Sequence, residues 1–248
     1  MMALFEARNI HKRFGARVVL EDISLAVNEG QISGIMGPNG AGKTTCFNVL
    51  TGRHKPDRGT IRFDGRDITG LSPQEIARTG VSRSFQLMNL FDQSAVIENV
   101  MIALPEVKER RRNILSTPLA DPSLIDLARR VLDQVGLANK AWVPAQALSY
   151  GERRALEIGV ALAARPRILF LDEPTSGLGT DATRALSRLI SELRRSVTIV
   201  MIEHDMRFLF ELADAISVIH WGQVIAQGTP EELRRNKWVQ RSSLGELV

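Results

Sequence analysis

The chain has 248 residues, 44% apolar and 24% charged, the composition of a soluble globular protein with material for one large domain or for one core with an attached subdomain. Its longest apolar runs, such as VTIVMI (197–202) and ILFL (168–171), exclude a membrane-spanning helix, and its single cysteine, Cys46, excludes an internal disulfide. The net charge of +4 leaves three readings open, a solvated surface, nearness to anionic headgroups, or nucleic acid, although the basic run KERRR (108–112) lacks the interleaved aromatics of single-strand binders.

The start, MMALFEARNI, has Glu6 and Arg8 where the apolar centre of a signal peptide would sit, so secretion is not expected. With Cys46 read as a small buried helix residue, a reducing cytosol is the expected setting. In VVLEDISLAV (18–27), Ile23, Leu25 and Val27 alternate with polar or small residues and predict a strand with one buried face. QISGIM (31–36) is strand-like, GPNGAGKTT follows, and TTCFNVL after it is helix-like. In GTIRFDGRDI (59–68), Ile61 and Phe63 alternate and Asp64-Gly65 makes the turn. Ser72-Pro73-Gln74-Glu75 is a capping box with proline at the first helical position, which predicts a helix through Ile76 and Ala77.

From about Met88 to Ala147 the alternation fades. LIDLARRVLDQVGL (124–137) places Leu124, Leu127, Ala128, Val131, Leu132 and Val135 on one helical face, with Gly136 as the stop. The stretch holding Pro105, Pro118 and Pro122 reads as loop. A helix over 152–164, the run ILFLD, a helix around 181–195, the run VTIVMIEHD and a helix over 206–213 follow in turn. Apolar runs alternating with helices predict a parallel sheet covered on both faces, here with a helical insertion. AISVIHWGQVIAQG (215–228) predicts a hairpin, and Thr229-Pro230-Glu231-Glu232 a further capping box.

Gly37 to Thr44 match G-x-x-x-x-G-K-[ST] in the strand–loop–helix order that such a phosphate loop needs. The backbone N–H groups of Gly37, Pro38, Asn39, Gly40, Ala41 and Gly42 (proline excepted) would wrap the phosphates, Lys43 would neutralise the β- and γ-phosphates, and the Thr44 hydroxyl, beside Thr45, would ligate Mg2+. ILFLDEP ends an apolar strand in two carboxylates, where open α/β sheets bind ligands. Asp172 would face Mg2+ and Glu173 would orient and partly deprotonate the attacking water. His204 ends the next apolar strand and is either structural or a hydrogen-bond partner of the γ-phosphate and the water. His11, His54 and His220 lack such a setting. Gln86, in RSFQLMN, is either a solvated amide or a Mg2+ ligand through its carbonyl oxygen. ALSYGERRALEIG (147–159) is a second polar turn feeding a helix, and so a second anion-facing helix start.

GPNGAGKTT, the glutamine of SFQ, LSYGERR, LFLDEP and EHD, in this order and near these spacings, resemble the ATPase subunit of an ATP-binding cassette (ABC) transporter over essentially the whole chain. The resemblance implies an α/β fold: a P-loop NTPase core with a parallel sheet, an N-terminal antiparallel β subdomain, and a helical subdomain insertion over about 88–160, with a C-terminal hairpin and helix over about 215–248. It implies ATP and Mg2+ as cofactors, with two subunits packed head to tail. Each ATP then lies between the phosphate loop of one subunit and Ser149 and the Gly151 N–H of the other, and Phe14 stands where the family places an aromatic against adenine. It further implies membrane permease subunits as partners, a second ATPase subunit (the same chain or a sister), a periplasmic solute-binding protein acting indirectly, no nucleic acid, and a peripheral place at the cytoplasmic face of the inner membrane. Nucleic-acid-acting relatives generally carry coiled coils or two cassettes, and this chain has one cassette and no heptad array.

Within that family the chain looks most like the subunit of branched-chain or hydrophobic amino acid importers, with urea or amide importers and the lipopolysaccharide-export ATPase sharing much of the pattern. It departs from the family pattern at four places. The signature, commonly Ser-Gly-Gly-Gln, is Ser149-Tyr150-Gly151-Glu152, a variant typical of amino-acid importers. Arg153 follows where glutamine is frequent, Gly179 stands where an Asp or Asn commonly meets the partner, and Ser243 replaces an aromatic before Leu244-Gly245-Glu246.

Overall fold

Period-two burial, shifted by one residue at irregularities in both strands, builds the first sheet. Leu20, Ile23, Leu25 and Val27 point inward from β2 (Arg17–Val27), and Phe5, Ala7 and Ile10 do so from β1 (Phe5–Phe14). With β4 (Arg58–Phe63) and β5 (Arg66–Asp67) they form an antiparallel sheet in the order β2-β1-β4-β5. The computed structural model describes residues 3–84, 90–110, 121–237 and 239.

Short, wholly buried strands build the second sheet: β3 (Ile32–Met36), β7 (Ile168–Asp172) and β8 (Thr198–Ile202). They join β6 (Val81–Arg83) and the hairpin β9 (Ala215–His220) and β10 (Gln223–Gly228) in the order β10-β9-β3-β8-β7-β6, parallel except for β10. Both faces are covered, as an apolar run without a polar face requires. Ile35, Phe170, Val200 and Ile202 face one core with α1 (Lys43–Leu50) and the antiparallel sheet, where Phe5, Phe47 and Phe170 meet edge to face. Met36, Leu169, Leu171, Ile199 and Met201 face the other core. That core takes its helices from α3 (Val96–Met101), α5 (Pro122–Gln134), α6 (Tyr150–Ala163), α7 (Thr180–Leu193) and α8 (Met206–Leu212). Two further helices are α2 (Pro73–Arg78) and α9 (Pro230–Arg235), each opened by the expected capping box.

Most predicted elements fall where alternation and caps placed them. Leu124, Ala128 and Leu132 are buried along α5, and Gly136 follows its end at φ +72°. The proline stretch is different: Pro105 opens α4 (Pro105–Arg110) and Pro122 is the first residue of α5, capped by Asp121, whose side chain accepts from Ser123 N. Proline at the first helical position gives up only an N–H that has no partner there, so these prolines start helices rather than lengthen a loop. Pro118 lies outside the described residues. Among the described residues no helix is long and apolar enough to cross a membrane. Cys46 is buried in α1, and burial pushes its thiol up to about 12.

Candidate functional site

Register carries the site residues to one rim. Ile35 of β3 and Asp172 of β7 both sit beside Ile202 of the central strand β8, and Met36 sits beside Val218 of β9. The residues that follow, Gly37, Glu173 and Glu203, therefore leave the sheet together at its carboxyl edge, where open α/β sheets bind ligands.

The loop from Gly37 to Gly42 is shaped by close approaches. A Cβ at Gly37 would stand 2.1 Å from the Ile219 carbonyl oxygen, so only glycine passes beneath the β9–β10 turn. Gly42 caps α1 at φ +103°, a conformation that side chains rarely adopt. No side chain caps α1 and its first turn holds no acid, which leaves a helix start suited to an anion. Asn39, Gly40 and Thr44 are exposed, Pro38 and Thr45 are half-buried, and Ala41 and Lys43 are buried. Lys43 Nζ donates to the carbonyls of Gly37 at 2.7 Å and Pro38 at 3.0 Å. Burial pulls the ammonium below its ordinary value while the charge of Glu173 holds it up.

Asp172 is 1% exposed, and its Oδ2 accepts from Arg83 Nη2 at 2.7 Å. Burial raises its carboxyl above the ordinary range, against the neighbouring Arg83 guanidinium. Glu173 stands next at φ +44°, its N–H donating to the Ile202 carbonyl at 3.0 Å. His204 is exposed beyond β8. Buried Glu203 braces that turn, accepting from Thr175 N at 2.8 Å and His204 N at 3.2 Å.

Phe14 ends β1 and is 46% exposed, which rules out a core role. Its ring meets His54 edge to face at 5.3 Å with Lys12 Nζ 5.4 Å from its centroid, so His54 has a setting that its sequence neighbourhood did not reveal. Ser149 caps α6 in a full capping box with Glu152, and Lys140 holds Glu152 at 2.6 Å. Arg153 reaches Asp92 at 2.6 Å. Gly179 is the N-cap of α7. Gln86 and Ser243 lie outside the described residues.

The rim thus gathers Lys43, Asp172, Glu173 and His204. The two helix starts are not gathered: α1 packs in the core on one face of the parallel sheet, α6 in the core on the other. Sequence reasoning missed Arg83, Arg154 and Glu203. Glu203 alone had a signal, an acid closing the apolar run VTIVMI.

Magnesium at a phosphate site takes one or two protein oxygens and completes its octahedron with phosphate and water. The Thr44 hydroxyl and the Asp172 carboxylate are hard oxygen donors of that kind, so the residues present fit the ion. No group of three His, Cys, Asp or Glu among the described residues offers an all-protein alternative.

The family model described as ABC transporter matches residues 20–176, more than half of the chain. The chain is 42% identical over 250 residues to the high-affinity branched-chain amino acid transport ATP-binding protein LivG of Salmonella typhimurium (strain LT2), covering 98% of each chain. It is 40% identical over 252 residues, again 98% of each, to the high-affinity branched-chain amino acid transport ATP-binding protein BraF of Pseudomonas aeruginosa (strain PAO1). Among solved structures, the ADP conformation of MJ1267, an ATP-binding cassette of an ABC transporter, superposes with a TM-score of 0.87 at 30% identity, covering 100% of this chain and 98% of that one. With the family model matching more than half of the chain and relatives at 40–42% identity along its length, the chain belongs to the ABC transporter family, as one of its ATP-hydrolysing cassettes.

Proposed function

We propose that this cassette drives import of branched-chain or other hydrophobic amino acids, and that it works as a head-to-tail pair sharing two ATP molecules. Lys43 and the N–H groups of residues 37–42 bind the triphosphate. Thr44 and Asp172, with Gln86, hold Mg2+, which neutralises phosphate charge. Glu173 orients the water and takes its proton, His204 donates to the γ-phosphate, and Phe14 stacks on adenine. Ser149 and the Gly151 N–H close the partner's site. Permease subunits hold the pair at the cytoplasmic face of the inner membrane, and a periplasmic solute-binding protein delivers the solute.

One observation carries the two-chain reading. Helices α1 and α6 pack in the cores on opposite faces of the six-stranded sheet, and the start of α6 is tied to the segment after Glu173. Among the described residues the Ser149 side chain bonds only within its own capping box and not to the loop over 37–44, which supports a role for Ser149 and Gly151 at another molecule's nucleotide. The solute class rests on the likeness to LivG and BraF along the full length.

Mixing two inactive variants tests the shared site. Lys43→Ala removes the phosphate contact and Ser149→Arg fills the loop that faces the partner. Neither hydrolyses ATP alone, but a mixture contains pairs with one intact composite site and regains turnover. Ser149→Arg active by itself, or a mixture that forms no ATP-dependent mixed pairs beside a wild type that pairs, removes the shared-site reading. Uptake of labelled leucine by cells lacking the chain tests the solute, with urea uptake as the contrasting outcome.

A further inference from the structure

Among the described residues the bulkiest fully buried side chain is charged: Arg154, in the first turns of α6. A buried guanidinium persists only where its donors are matched. Nη1 donates to Glu157 Oε2 at 2.7 Å, one turn along the helix. Nε donates to the Pro174 carbonyl at 3.1 Å and Nη2 to the Glu173 carbonyl at 3.0 Å. Glu173 holds a left-handed φ of +44°, a conformation that surrounding contacts must maintain. Its N–H is fixed by β8 and its carbonyl by α6, so both flanking peptides are held by different elements.

A second, separate contact joins the same segments. Tyr150 Oη donates to the Ser176 carbonyl at 3.2 Å, and a Cβ at Gly177 would stand 3.0 Å from that hydroxyl. Gly151 meets α7 closely, since a Cβ there would stand 3.0 Å from Ala182 Cβ. The loop over 149–151 and the loop over 173–177 of one chain form a single block.

We propose that Arg154 is a positioning residue that carries contact at the Ser149 loop to the backbone of Glu173 in the same chain. This rests on the reading that Ser149 and Gly151 face the partner's ATP. Each chain then presents its Glu173 to its own nucleotide and its Ser149 to the other. Arg154 ties these together, and occupancy of one site sets the water-orienting carboxylate of the second.

Arg154→Lys keeps a charge for Glu157 but not the planar fork that reaches two carbonyls. Arg154→Met with Glu157→Leu removes both charges at similar volume, a change buried pairs often tolerate. For both, nucleotide affinity by calorimetry stays within about twofold of wild type, kcat falls about tenfold or more, and the Hill coefficient for ATP falls from above one to about one. Folded variants with unchanged kcat and Hill coefficient overturn the proposal. So does a loss of turnover that follows the folded fraction by circular dichroism with cooperativity intact, because packing alone accounts for it. A wild-type chain that neither hydrolyses ATP nor pairs on it removes the shared-site reading itself, and this proposal with it.

Discussion

Arg83 and Asp172, 89 residues apart, meet across adjacent strands with Nη2 donating to Oδ2 at 2.7 Å. The same guanidinium reaches Asn48 of α1 at 2.7 Å and Thr51 just past its end at 3.0 Å, and lies 4.6 Å from the Phe47 centroid. Arg83 therefore joins the edge strand, the phosphate-loop helix and the carboxylate proposed for Mg2+, three residues before Gln86.

Removing one member of a buried pair leaves the other charge unmatched, typically at a cost of about 3 to 5 kcal/mol. The side chains here are 11% and 2% exposed, so the lower end applies. Arg83→Met, which keeps the stem against Phe47, should lose about 3 kcal/mol of unfolding free energy in urea. Adding Asp172→Asn should return part of it. If the double variant is no more stable than Arg83→Met, the loss comes from packing and not from the stranded carboxylate.

The residues gathered at the rim were legible because the signal is local in sequence. GPNGAGKTT fixes its own loop, and ILFLDEP carries strand and carboxylates in seven residues. Alternation placed β2 and β4 for the same reason, and apolar runs placed β7 and β8, whereas β1 and β6 carried no such reading. What stayed hidden depends on contacts between distant segments. Apolar character marks Leu156 on α6 as inward, yet assigns no place to Arg154, whose partners include backbone carbonyls about twenty residues on. Pro105 and Pro122 read as loop because proline both ends helices and starts them. Asp121 ahead of Pro122 was the cap that resolves the second, whereas Leu104 ahead of Pro105 gives no such sign.

Glu203 offers a pH test. Burial raises its carboxyl above the ordinary range, against the N–H groups of Thr175 and Asp205 that favour the charged form. The folded chain thus holds this proton more tightly than the unfolded one. Its contribution to stability is complete below the ordinary glutamate pKa and is lost as pH rises through the folded value. Glu203→Gln has no proton to lose, so in urea titrations its stability relative to wild type should improve as pH rises above the ordinary glutamate pKa, until the folded carboxyl has ionised. A difference that stays flat across that window means that the carboxyl ionises as in an unfolded chain.

Gly179 is open to improvement at the start of α7. It is the N-cap at φ −79° and ψ 168°, with no side-chain cap, and a Cβ there would meet nothing within 4 Å. An aspartate fits this extended backbone, and its carboxylate can accept from the first-turn N–H groups of α7. Capping over glycine adds a few tenths of a kcal/mol, and the narrower unfolded ensemble adds about 0.4 to 1 kcal/mol. Gly179→Asp should therefore raise stability by about 1 kcal/mol. Asp181 already sits in that first turn, so salt should change the gain little if the hydrogen bond dominates and should enlarge it if repulsion between the carboxylates opposes it. In the proposed head-to-tail pair the same side chain would stand where the family resemblance puts a contact with the partner. ATP-driven pairing measured by light scattering in a Glu173→Gln background should then need less ATP. A variant that is more stable but pairs no better confines Gly179 to capping its own helix.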